Sequence, residues 1–372
     1  MVVGAGIVGA ACAYAAALDG LSVVLLDRAG VSAGTTGAGE GNILVSDKEP
    51  GPELDFALWS NRIWQEWGRE LGAEAIELEL KGGLVVAASP EADRSLRHLA
   101  GKQAAAGTRA VGVAADELAD YEPHLRRGLA GGVYYPDDMQ VQPMLAAAHL
   151  VRAAKAHGAE MRTGTEFLGV EVTAGRVRAA STDLGRIPAR WVVNAAGTWA
   201  GEVSRRVGAE VPVLPRRGFV LVTEPLPPLI RHKVYTADYV ANVASGDAGL
   251  ETSTVVEGTR SGTVLIGASR ERVGFDRTLS IPVVRRLAAG AIDIFPSLAQ
   301  VQLMRVYRGF RPYCPDHLPV VGADPRVDGI VHACGHEGAG IGLAPATGRL
   351  VADILAGKEH TFAALSPERF AA

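Results

Sequence analysis

The sequence has few cysteines, no strong charge bias and no motif for a metal ion, and each shortage excludes a class of protein. Its three cysteines, Cys12, Cys314 and Cys334, are odd in number and widely spaced. They predict buried thiols in a reducing compartment such as the cytoplasm, rather than a disulfide framework or a metal site. With 37 Lys and Arg against 41 Asp and Glu, the net charge is −4. This balance gives no electrostatic reason to expect nucleic acid as a partner.

Long apolar runs are also missing. No stretch approaches the roughly 18 apolar residues of a membrane-spanning helix. The apolar N-terminal segment is interrupted by Gly4, Gly6 and Gly9 and has no basic leader, unlike a signal peptide. We therefore expect a cytoplasmic chain without a transmembrane segment, which reaches a membrane only through a partner. A chain of 372 residues, 48% of them hydrophobic, is long enough for two packed domains.

The N-terminal segment MVVGAGIVGAACAYAAALDGLSVVLLDR predicts a strand, a turn, a helix and a second strand. Gly4, Gly6 and Gly9 form a G-x-G-x-x-G pattern. The first glycine permits the tight turn, the second lets backbone approach a pyrophosphate, and the third lets the helix pack on the strand. The second strand ends in Asp27, whose carboxylate can accept both ribose hydroxyls of an adenosine. The segment predicts a dinucleotide site and disfavours NADP, but it does not separate NAD from FAD.

The next segment, AGVSAGTTGAGEGNILVSDKEPGPELD, begins with a loop rich in glycine, serine and threonine. A nicotinamide enzyme normally continues with a crossover helix at this point. Loops of about 15 residues inside a compact domain are usually functional. Here the hydroxyls of Thr35 and Thr36 and the exposed backbone N–H groups suit a second contact with pyrophosphate and with a flat ring system. The alternative is a flexible surface loop.

Two later segments favour FAD over NAD. In RIPARWVVNAAGTWAGEVSRRVG, a strand at 191–194 leads through small residues and Gly197 into a helix that begins at Trp199. Upstream, EFLGVEVTAGRVRAASTDLGRI predicts three short strands with turns at 174–175 and 184–185. Such a β-meander, inserted in a doubly wound sheet, is unusual for a nicotinamide dehydrogenase.

The whole chain resembles the FAD-dependent superfamily of D-amino-acid oxidase, glycine oxidase and sarcosine oxidase. Four separated motifs carry the resemblance: GAGIVGAACAYAAALDGLSVVLLDR, AGTTGAGEGNILV, NAAGTWA, and RGFRPYCPDHLPVVG followed by GHEGAGIGLAPATGRLVADIL. The segments GTTGAGEGNILVSDKEPGPELDFALWS and TSTVVEGTRSGTVLIGASRERVGFD most resemble the β (FAD) subunits of bacterial opine oxidases and D-hydroxyproline dehydrogenases. Hydrogen cyanide synthase subunits are also similar.

The resemblance implies an α/β fold: a doubly wound FAD-binding domain, similar to that of glutathione reductase, with an inserted antiparallel-sheet substrate domain of the α+β class. We expect residues 1–85, 141–212 and 309–372 to form the FAD-binding domain. Residues 86–140 carry helical patterns and residues 213–308 alternate like antiparallel strands. These two segments are predicted to form the substrate-binding domain, a roof over the flavin ring.

The resemblance also implies that the C-terminal glycine-rich segment returns to the cofactor that the N-terminus binds. A helix N-terminus there carries about half a positive charge and would stabilise reduced flavin. The expected FAD contacts are Gly4, Gly6, Ile7, Val8, Gly9, Asp27, Arg28, Thr35, Thr36, Glu40, Gly41, Asn42, Val172, Gly197, Gly335, His336, Glu337, Gly338, Ala339, Gly340 and Ile341. The first 97 residues contain no histidine and Cys314 matches the flavin-bearing cysteine of sarcosine oxidases only loosely. We therefore expect non-covalent FAD.

On the substrate side, Arg311 aligns with the arginine that clamps the substrate carboxylate in D-amino-acid and glycine oxidases. A guanidinium fork suits a carboxylate bidentately. The alternatives are a structural ion pair of Arg311 with an acid such as Asp316, and a clamp made by Arg308 instead. Tyr235 and Tyr239 lie on a predicted roof strand, where they close the site or are half-buried sheet residues.

Glycine oxidases have a second arginine where this chain has Gly338, which disfavours a small substrate and leaves room for a bulkier secondary amine. His336 is the nearest candidate base, although flavin packing is its expected role. The resemblance implies oxidation of the C–N bond of a D-amino acid, D-hydroxyproline or an opine, by hydride transfer to flavin N5 that gives an imine. It also implies a hetero-oligomer with an α subunit. The alternatives are a self-sufficient oxidase that uses O2 and a non-catalytic flavin-binding subunit.

Overall fold

The computed structural model describes residues 1–238, 249–358 and 361–371. The strands of these residues are β1 (Val2–Val3), β2 (Val24–Asp27), β3 (Asn42–Ile43), β4 (Gly83–Ala87), β5 (Val111–Ala114), β6 (Gly131–Tyr135), β7 (Met139–Gln140), β8 (Glu160–Thr163), β9 (Phe167–Thr173), β10 (Arg176–Thr182), β11 (Gly185–Pro188), β12 (Val192–Asn194), β13 (Leu214–Thr223), β14 (Lys233–Thr236), β15 (Glu251–Gly258), β16 (Val264–Arg270), β17 (Leu303–Tyr313), β18 (Val320–Ala323) and β19 (Ile330–Cys334). The α-helices are α1 (Ile7–Leu18), α2 (Pro52–Leu71), α3 (Pro90–Ala105), α4 (Leu118–Tyr121), α5 (Pro143–Ala156), α6 (Ala200–Arg206), α7 (Ile281–Ile294) and α8 (Gly340–Leu355).

The smaller of the two main sheets has the strand order β18-β19-β12-β1-β2-β8. Its central strand β1 is parallel to both β2 and β12, because α1 provides the crossover from β1 to β2. The alanine-rich α1 is buried between this sheet and helices α5 and α8. The opposite face carries the β9–β11 meander and α6, which share a second apolar core with β1 and β12. This sheet therefore has helices on one face and mainly a meander on the other.

The larger sheet has the strand order β17-β13-β16-β15-β14-β4-β6-β5. Its pairs are antiparallel except β4 with β14, which are parallel. Helix α7 covers one face, where it packs on Phe219, Leu221 and Val256. On the opposite face, Gly218 and Val220 of β13 border the cavity described below. Two packed sheets of this kind confirm the predicted α/β and α+β architecture.

The strand pairing corrects the sequence prediction at three places. Strands β4 and β17 run across the predicted domain boundaries at 85/86 and 308/309, yet both pair along their length inside the larger sheet. Segment 213–308 was expected to contain strands, but it also contains the amphipathic helix α7. The boundaries were misplaced because apolar runs such as GLVVA do not indicate which sheet a strand joins.

Candidate functional site

A cavity of about 840 Å³ lies where the two main sheets meet. Separate parts of the chain line it, among them the N-terminal turn, the loop after β2, the segment around β12, the edge strand β17 and the segment before α8. Of the predicted FAD contacts, those that line it are Gly4, Gly6, Ile7, Val8, Asp27, Arg28, Thr35, Thr36, Glu40, Gly41, Asn42, Gly197, His336, Glu337, Gly338, Gly340 and Ile341. Segments more than 300 residues apart in sequence thus form one site.

The N-terminal glycines are placed as the G-x-G-x-x-G pattern predicts. Gly4 has φ 105°, a left-handed conformation that L side chains rarely adopt. A Cβ on Gly6 would lie 3.0 Å from Oγ1 of Thr36, the same oxygen that accepts a hydrogen bond from Ile7 N at 3.0 Å. A Cβ on Gly9 would lie 1.8 Å from the Gly4 carbonyl oxygen. The first two glycines therefore shape the cavity wall, and the third allows α1 to pack against β1.

Asp27 is fixed at the end of β2 by the backbone around it. Its Oδ2 accepts a hydrogen bond from Ala5 N at 2.9 Å, and its Oδ1 accepts one from Ala29 N at 2.8 Å. Since each carboxylate oxygen has further lone pairs, Asp27 can still accept ribose hydroxyls. The neighbouring Arg28 guanidinium lies 4.6 Å from the ring centroid of Trp199, a flat surface beside the cavity.

The threonine loop is an ordered wall of the cavity. It forms a short 3-10 helix, Thr35–Ala38, on top of the edge strand β17. The Thr35 hydroxyl donates to the Phe310 carbonyl at 2.7 Å and lies 2.9 Å from the Thr198 hydroxyl, which bonds the same carbonyl. These bonds join the N-terminal part of the chain to β12 and β17, so the alternative of a flexible surface loop does not apply.

The C-terminal segment reaches the cavity just before α8, which begins at Gly340. His336 is buried, and its Nε2 lies 2.9 Å from the Thr347 hydroxyl. Burial lowers the pKa of His336 to about 3, so the ring is neutral at physiological pH. Glu337, at φ 47°, places its carboxylate 2.7 Å from a guanidinium nitrogen of the fully buried Arg216. His336 therefore packs as a neutral ring, whereas Glu337 is held as a charge.

Arg311 lines the cavity from β17. Its Nη1 donates to the Ser269 carbonyl at 2.7 Å, which fixes the guanidinium against the larger sheet. A Cβ on Gly338 would be in van der Waals contact with Arg311, 3.7 Å from its Nε, so the missing side chain leaves room for an atom beside the guanidinium. Asp316, the alternative ion-pair partner, lies 2.6 Å from Arg369 instead. Arg311 is thus held in the cavity wall by the larger sheet.

Arg308, the alternative carboxylate clamp, also lines the cavity. It pairs with Phe219 across to β13, whereas Arg311 pairs with Arg216. Because side chains alternate along a strand, Arg308 and Arg311 leave β17 on opposite faces. The Nε of Arg308 is buried without a hydrogen-bond partner in the described part of the chain. Of the two arginines, Arg311 lies on the face that carries Gly309, next to the threonine loop.

The predicted roles of the two tyrosines are not supported. Tyr235 is fully buried, does not line the cavity, and donates its hydroxyl hydrogen to Ser46 Oγ, which in turn bonds Asp138. The structure does not support its placement as a substrate residue, because the side chain is fully buried and its hydroxyl bonds Ser46. Tyr239 lies outside the described residues.

Four predicted FAD contacts do not line the cavity. Val172 lies far along β9 and is 46% exposed, and the cavity is reached instead by residues 165–167 at the start of that strand. The other three are next in sequence to residues that line the cavity: Gly9, Gly335 and Ala339.

Sequence reasoning missed several side chains of the cavity wall. Arg206 and Glu166 line one end, and Phe275 stacks on Trp199 with the ring centroids 5.5 Å apart. Tyr307 lies on β17, two positions from Gly309 on the same face. Tyr307 could have been found from the alternation of RVYRGFR. The others could not, because no local pattern joins Phe275 to Trp199.

The residues present fit a dinucleotide cofactor with a flat ring. The glycine turn provides backbone N–H groups, Asp27 provides an acceptor for ribose, and the cavity extends from there to Arg311. Two residues of the lining also carry buried polar atoms without partners: Glu40 Oε1 and Asn42 Oδ1 have no hydrogen bond among the described residues. Cys314 is buried outside the lining, and burial raises its pKa to about 12, which favours non-covalent binding.

The described residues also bear on metal binding and on membrane insertion. Ranges 1–238, 249–358 and 361–371 contain no group of three or more His, Cys, Asp or Glu side chains that could hold a metal ion. Within the same ranges, no helix is both long and apolar enough to cross a bilayer.

Comparison with known proteins supports the fit. A family model described as FAD dependent oxidoreductase matches residues 1–354. The hydrogen cyanide synthase subunit HcnC of Pseudomonas aeruginosa is 32% identical over 80% of this chain and 69% of its own length. Glycine oxidase of the same species is 30% identical over 96% of this chain and 95% of its own. The crystal structure of glycine oxidase from Geobacillus kaustophilus superimposes with a TM-score of 0.88 at 28% identity, covering 98% of this chain and 96% of the other.

Proposed function

The chain belongs to the family of FAD-dependent oxidoreductases, and on this premise we propose that it oxidises the C–N bond of an amino or imino acid. The product is an imine, which water then hydrolyses. The observation that carries the proposal is Arg311, a guanidinium in the wall of the cavity where the two glycine-rich segments meet, beside Gly338. Bound FAD supplies the oxidant, since flavin accepts a hydride equivalent from carbon.

The chain's own residues divide the work of holding FAD. The N-terminal turn, Asp27 and Arg28 would hold the adenosine and pyrophosphate half. The threonine loop and residues 336–341 would hold the ring half, with the N-terminus of α8 directed at it. The partial positive charge of a helix N-terminus favours the anionic reduced form of a flavin.

Arg311 would bind the substrate carboxylate and orient the Cα–H bond. A planar guanidinium matches a carboxylate with two parallel hydrogen bonds, which fixes direction as well as distance. Correct orientation of the reacting bond is a large part of what this chemistry requires of the protein. His336, neutral and hydrogen-bonded to Thr347, would keep the wall beside this position closed.

The absence of a side chain at Gly338, next to Arg311, supports a substrate larger than glycine. We therefore propose a bulkier secondary amine, such as D-proline, D-hydroxyproline or an opine, as the substrate. A larger side chain at this position would lie against Arg311 Nε and Cδ, within 3.8 Å. The finer likeness to opine oxidase and D-hydroxyproline dehydrogenase subunits supports the same substrates.

We further propose that the chain works as a subunit beside a redox partner in the cytoplasm. The relative HcnC is named as a subunit of hydrogen cyanide synthase. The three cysteines are buried and unbonded, which supports a reducing compartment. Light scattering of the chain, purified alone and after co-expression with the candidate redox subunit, would test the proposed assembly. A stable monomer with full turnover would contradict it.

The first experiment is anaerobic. The FAD-loaded protein is mixed separately with D-proline, trans-4-hydroxy-D-proline, octopine, nopaline and sarcosine, and flavin absorbance near 450 nm is followed. Bleaching by one of them identifies the reaction and its substrate class. Re-admission of air then distinguishes an oxidase, which recovers its colour rapidly, from a dehydrogenase that needs a partner. A loaded protein that no amine bleaches would contradict the catalytic proposal and favour a flavin-binding subunit.

A further inference from the structure

Glu40 is a half-buried carboxylate that follows the threonine loop and lines the cavity. Its Oε2 accepts a hydrogen bond from Asn42 Nδ2 at 3.0 Å, whereas its Oε1 is buried without a hydrogen-bond partner among the described residues. No described lysine, arginine or histidine forms an ion pair with Glu40. A buried carboxylate oxygen without a partner is costly, so this oxygen calls for a ligand that carries a hydrogen-bond donor.

A glycine of the larger sheet leaves room for this oxygen. Glu40 Oε1 occupies the place that a Cβ on Gly267 of β16 would take. In the same way, Arg311 Nη1 occupies the place of a Cβ on Gly218 of the neighbouring strand β13. Two glycines on adjacent strands therefore allow one negative and one positive group to lie directly on the sheet.

Strand register places both groups on the cavity face of the sheet. Leu221 of β13 pairs with Ile266 of β16, and both belong to the core beneath α7. Because side chains alternate along a strand, Gly267 and Gly218 face the opposite side, and Gly218 lines the cavity. These two glycines are diagonal neighbours, which on adjacent antiparallel strands are about 7 Å apart. The same separation of about 7 Å applies to the carboxylate and the guanidinium that cover them.

This separation matches the size of an α-amino or α-imino acid, whose carboxylate and nitrogen are attached to the same carbon atom. Since charge-assisted hydrogen bonds are about 2.8 Å long, such a molecule joins two protein groups that are about 7–8 Å apart. Both groups are also fixed in place. Arg311 Nη1 donates to the Ser269 carbonyl at 2.7 Å, and Glu40 is held by Asn42.

We propose that Glu40 binds the nitrogen of the substrate and stabilises the positive charge that forms on this nitrogen during oxidation. Arg311 and Glu40 then recognise the carboxylate and the nitrogen of one molecule at the same time. This inference rests on the proposed amine oxidation and deepens it, because it assigns a catalytic residue to the nitrogen end of the substrate.

No proton has to reach Glu40 in this step. The substrate binds as the free amine and donates one N–H to Oε1. The Cα–H bond then breaks with its electron pair going to FAD, and the nitrogen lone pair forms the C=N bond. The nitrogen becomes positive and keeps the N–H that is directed at Glu40. A fixed charge beside the atom on which the opposite charge develops stabilises the transition state more than it strengthens substrate binding.

A matched pair of ligands tests the recognition of charge without turnover. N-Methylpicolinate and 2-methylbenzoate have the same shape, but the first carries a positive ring nitrogen beside its carboxylate. Binding of each to the FAD-loaded protein is titrated by the change in flavin absorbance. The wild type should bind N-methylpicolinate about tenfold more tightly than 2-methylbenzoate, and E40Q should reduce this ratio to about one. An unchanged ratio in E40Q would overturn the proposal.

Anaerobic stopped flow tests the catalytic part, with the amine that bleaches the wild type best. At saturating substrate, E40Q should reduce flavin more slowly by about tenfold or more, with a smaller change in the substrate concentration at half-maximal rate. E40D, which keeps the charge, should recover part of the rate. The loss in E40Q should be the same near pH 7 and near pH 9, because no proton transfer to Glu40 is removed. A loss that disappears near pH 9 would identify Glu40 as a base and overturn the proposal.

G267A moves the carboxylate without removing it. The new Cβ takes the place of Glu40 Oε1, the end of a flexible side chain, so the carboxylate must shift. G267A should therefore reduce the ratio of the two ligand affinities as E40Q does, and it decides the question if E40Q does not fold. E91Q removes an exposed glutamate of α3 outside the cavity. It is the control, and it should change neither the ratio nor the rate.

Two results separate this inference from the proposed function. If the wild type bleaches, and both E40Q and G267A keep its ligand ratio and its rate of flavin reduction, the role of Glu40 is wrong and the oxidation stands. If no amine bleaches the wild type, the proposed function is wrong, and the role of Glu40 is wrong with it.

Discussion

Arg311 is the residue whose removal tests the substrate site most directly. R311M should weaken carboxylate substrates by roughly 2–5 kcal/mol, since a desolvated ion pair is lost, and this corresponds to an increase in KM of about thirtyfold or more. FAD should remain bound, because the cofactor segments are elsewhere in the cavity wall. The measurement is anaerobic flavin reduction as a function of substrate concentration. R285M, on the exposed side of α7, is the control, and unchanged KM in R311M would sink the assignment.

Asp138 links stability to pH. It is buried and accepts hydrogen bonds from Val45 N and from the backbone and hydroxyl of Ser46, yet burial raises its pKa to about 7. When the pKa of a carboxyl is higher in the folded than in the unfolded state, its contribution to the stability of the fold is complete below the unfolded pKa near 4. This contribution is lost as pH rises through about 7. Relative to D138N, the wild type should therefore lose stability between pH 4 and 8, by at most about 4 kcal/mol.

Urea unfolding at several pH values measures this difference. D116N, at an exposed position, is the control, and its stability should change with pH as that of the wild type does. A wild type that gained stability over D138N as pH rises would mean that the hydrogen bonds outweigh burial and that the pKa is lowered.

At the scale of elements, the contact between α1 and α8 depends on one glycine. A Cβ on Gly348 of α8 would lie 2.6 Å from the Ala11 carbonyl oxygen, in the backbone of α1. G348A should destabilise by roughly 1–3 kcal/mol, because the helices must move apart. The matched change G101A lies in α3 with nothing within 4 Å of the new Cβ, and should stabilise by up to about 1 kcal/mol. Chemical denaturation measures the change in the free energy of unfolding for both variants. Equal changes in the two would contradict the packing argument.

Elements with strong local patterns were predictable from the sequence. The bounds of α1, Ile7–Leu18, follow from the glycine turn and the alanine-rich repeat. The three strands of the meander follow from alternation and from turns at 174–175 and 184–185. The amphipathic α7 was not predicted, although its apolar residues have helical spacing. The segments on either side of it alternate with the period of strands, and this pattern was extended over the helix.

The cavity could be predicted only in part, for a physical reason. Backbone contacts such as Gly4 and Gly6 leave a local pattern, because glycine is required where the chain turns or approaches a ligand. Side chains that reach the cavity from other strands leave no local pattern in the sequence. Tyr235 illustrates the limit: alternation placed it on a strand, but only its complete burial and its bond to Ser46 show that it does not line the cavity.

At the scale of the molecule, FAD should stabilise the fold more than a smaller flavin does. The cavity extends from Asp27 to Arg311, so FMN would leave the adenosine end empty. A ligand at 100 times its Kd stabilises by about 2.7 kcal/mol. Thermal unfolding with equal concentrations of FAD and FMN should show the larger rise in Tm for FAD. D27N should reduce the rise with FAD and leave that with FMN unchanged; equal shifts for both flavins would contradict the placement of the adenosine.

The assembly of one cavity from Gly4 and from residues 336–341 has a consequence for synthesis in the cell. A ribosome adds about 5–20 residues per second, so the nascent N-terminal glycine turn waits on the order of 15–60 s before its counterpart is made. During that time α1 lacks its α8 neighbour, and its apolar surface is exposed. The complete flavin site therefore forms only after residues 336–341 have been synthesised.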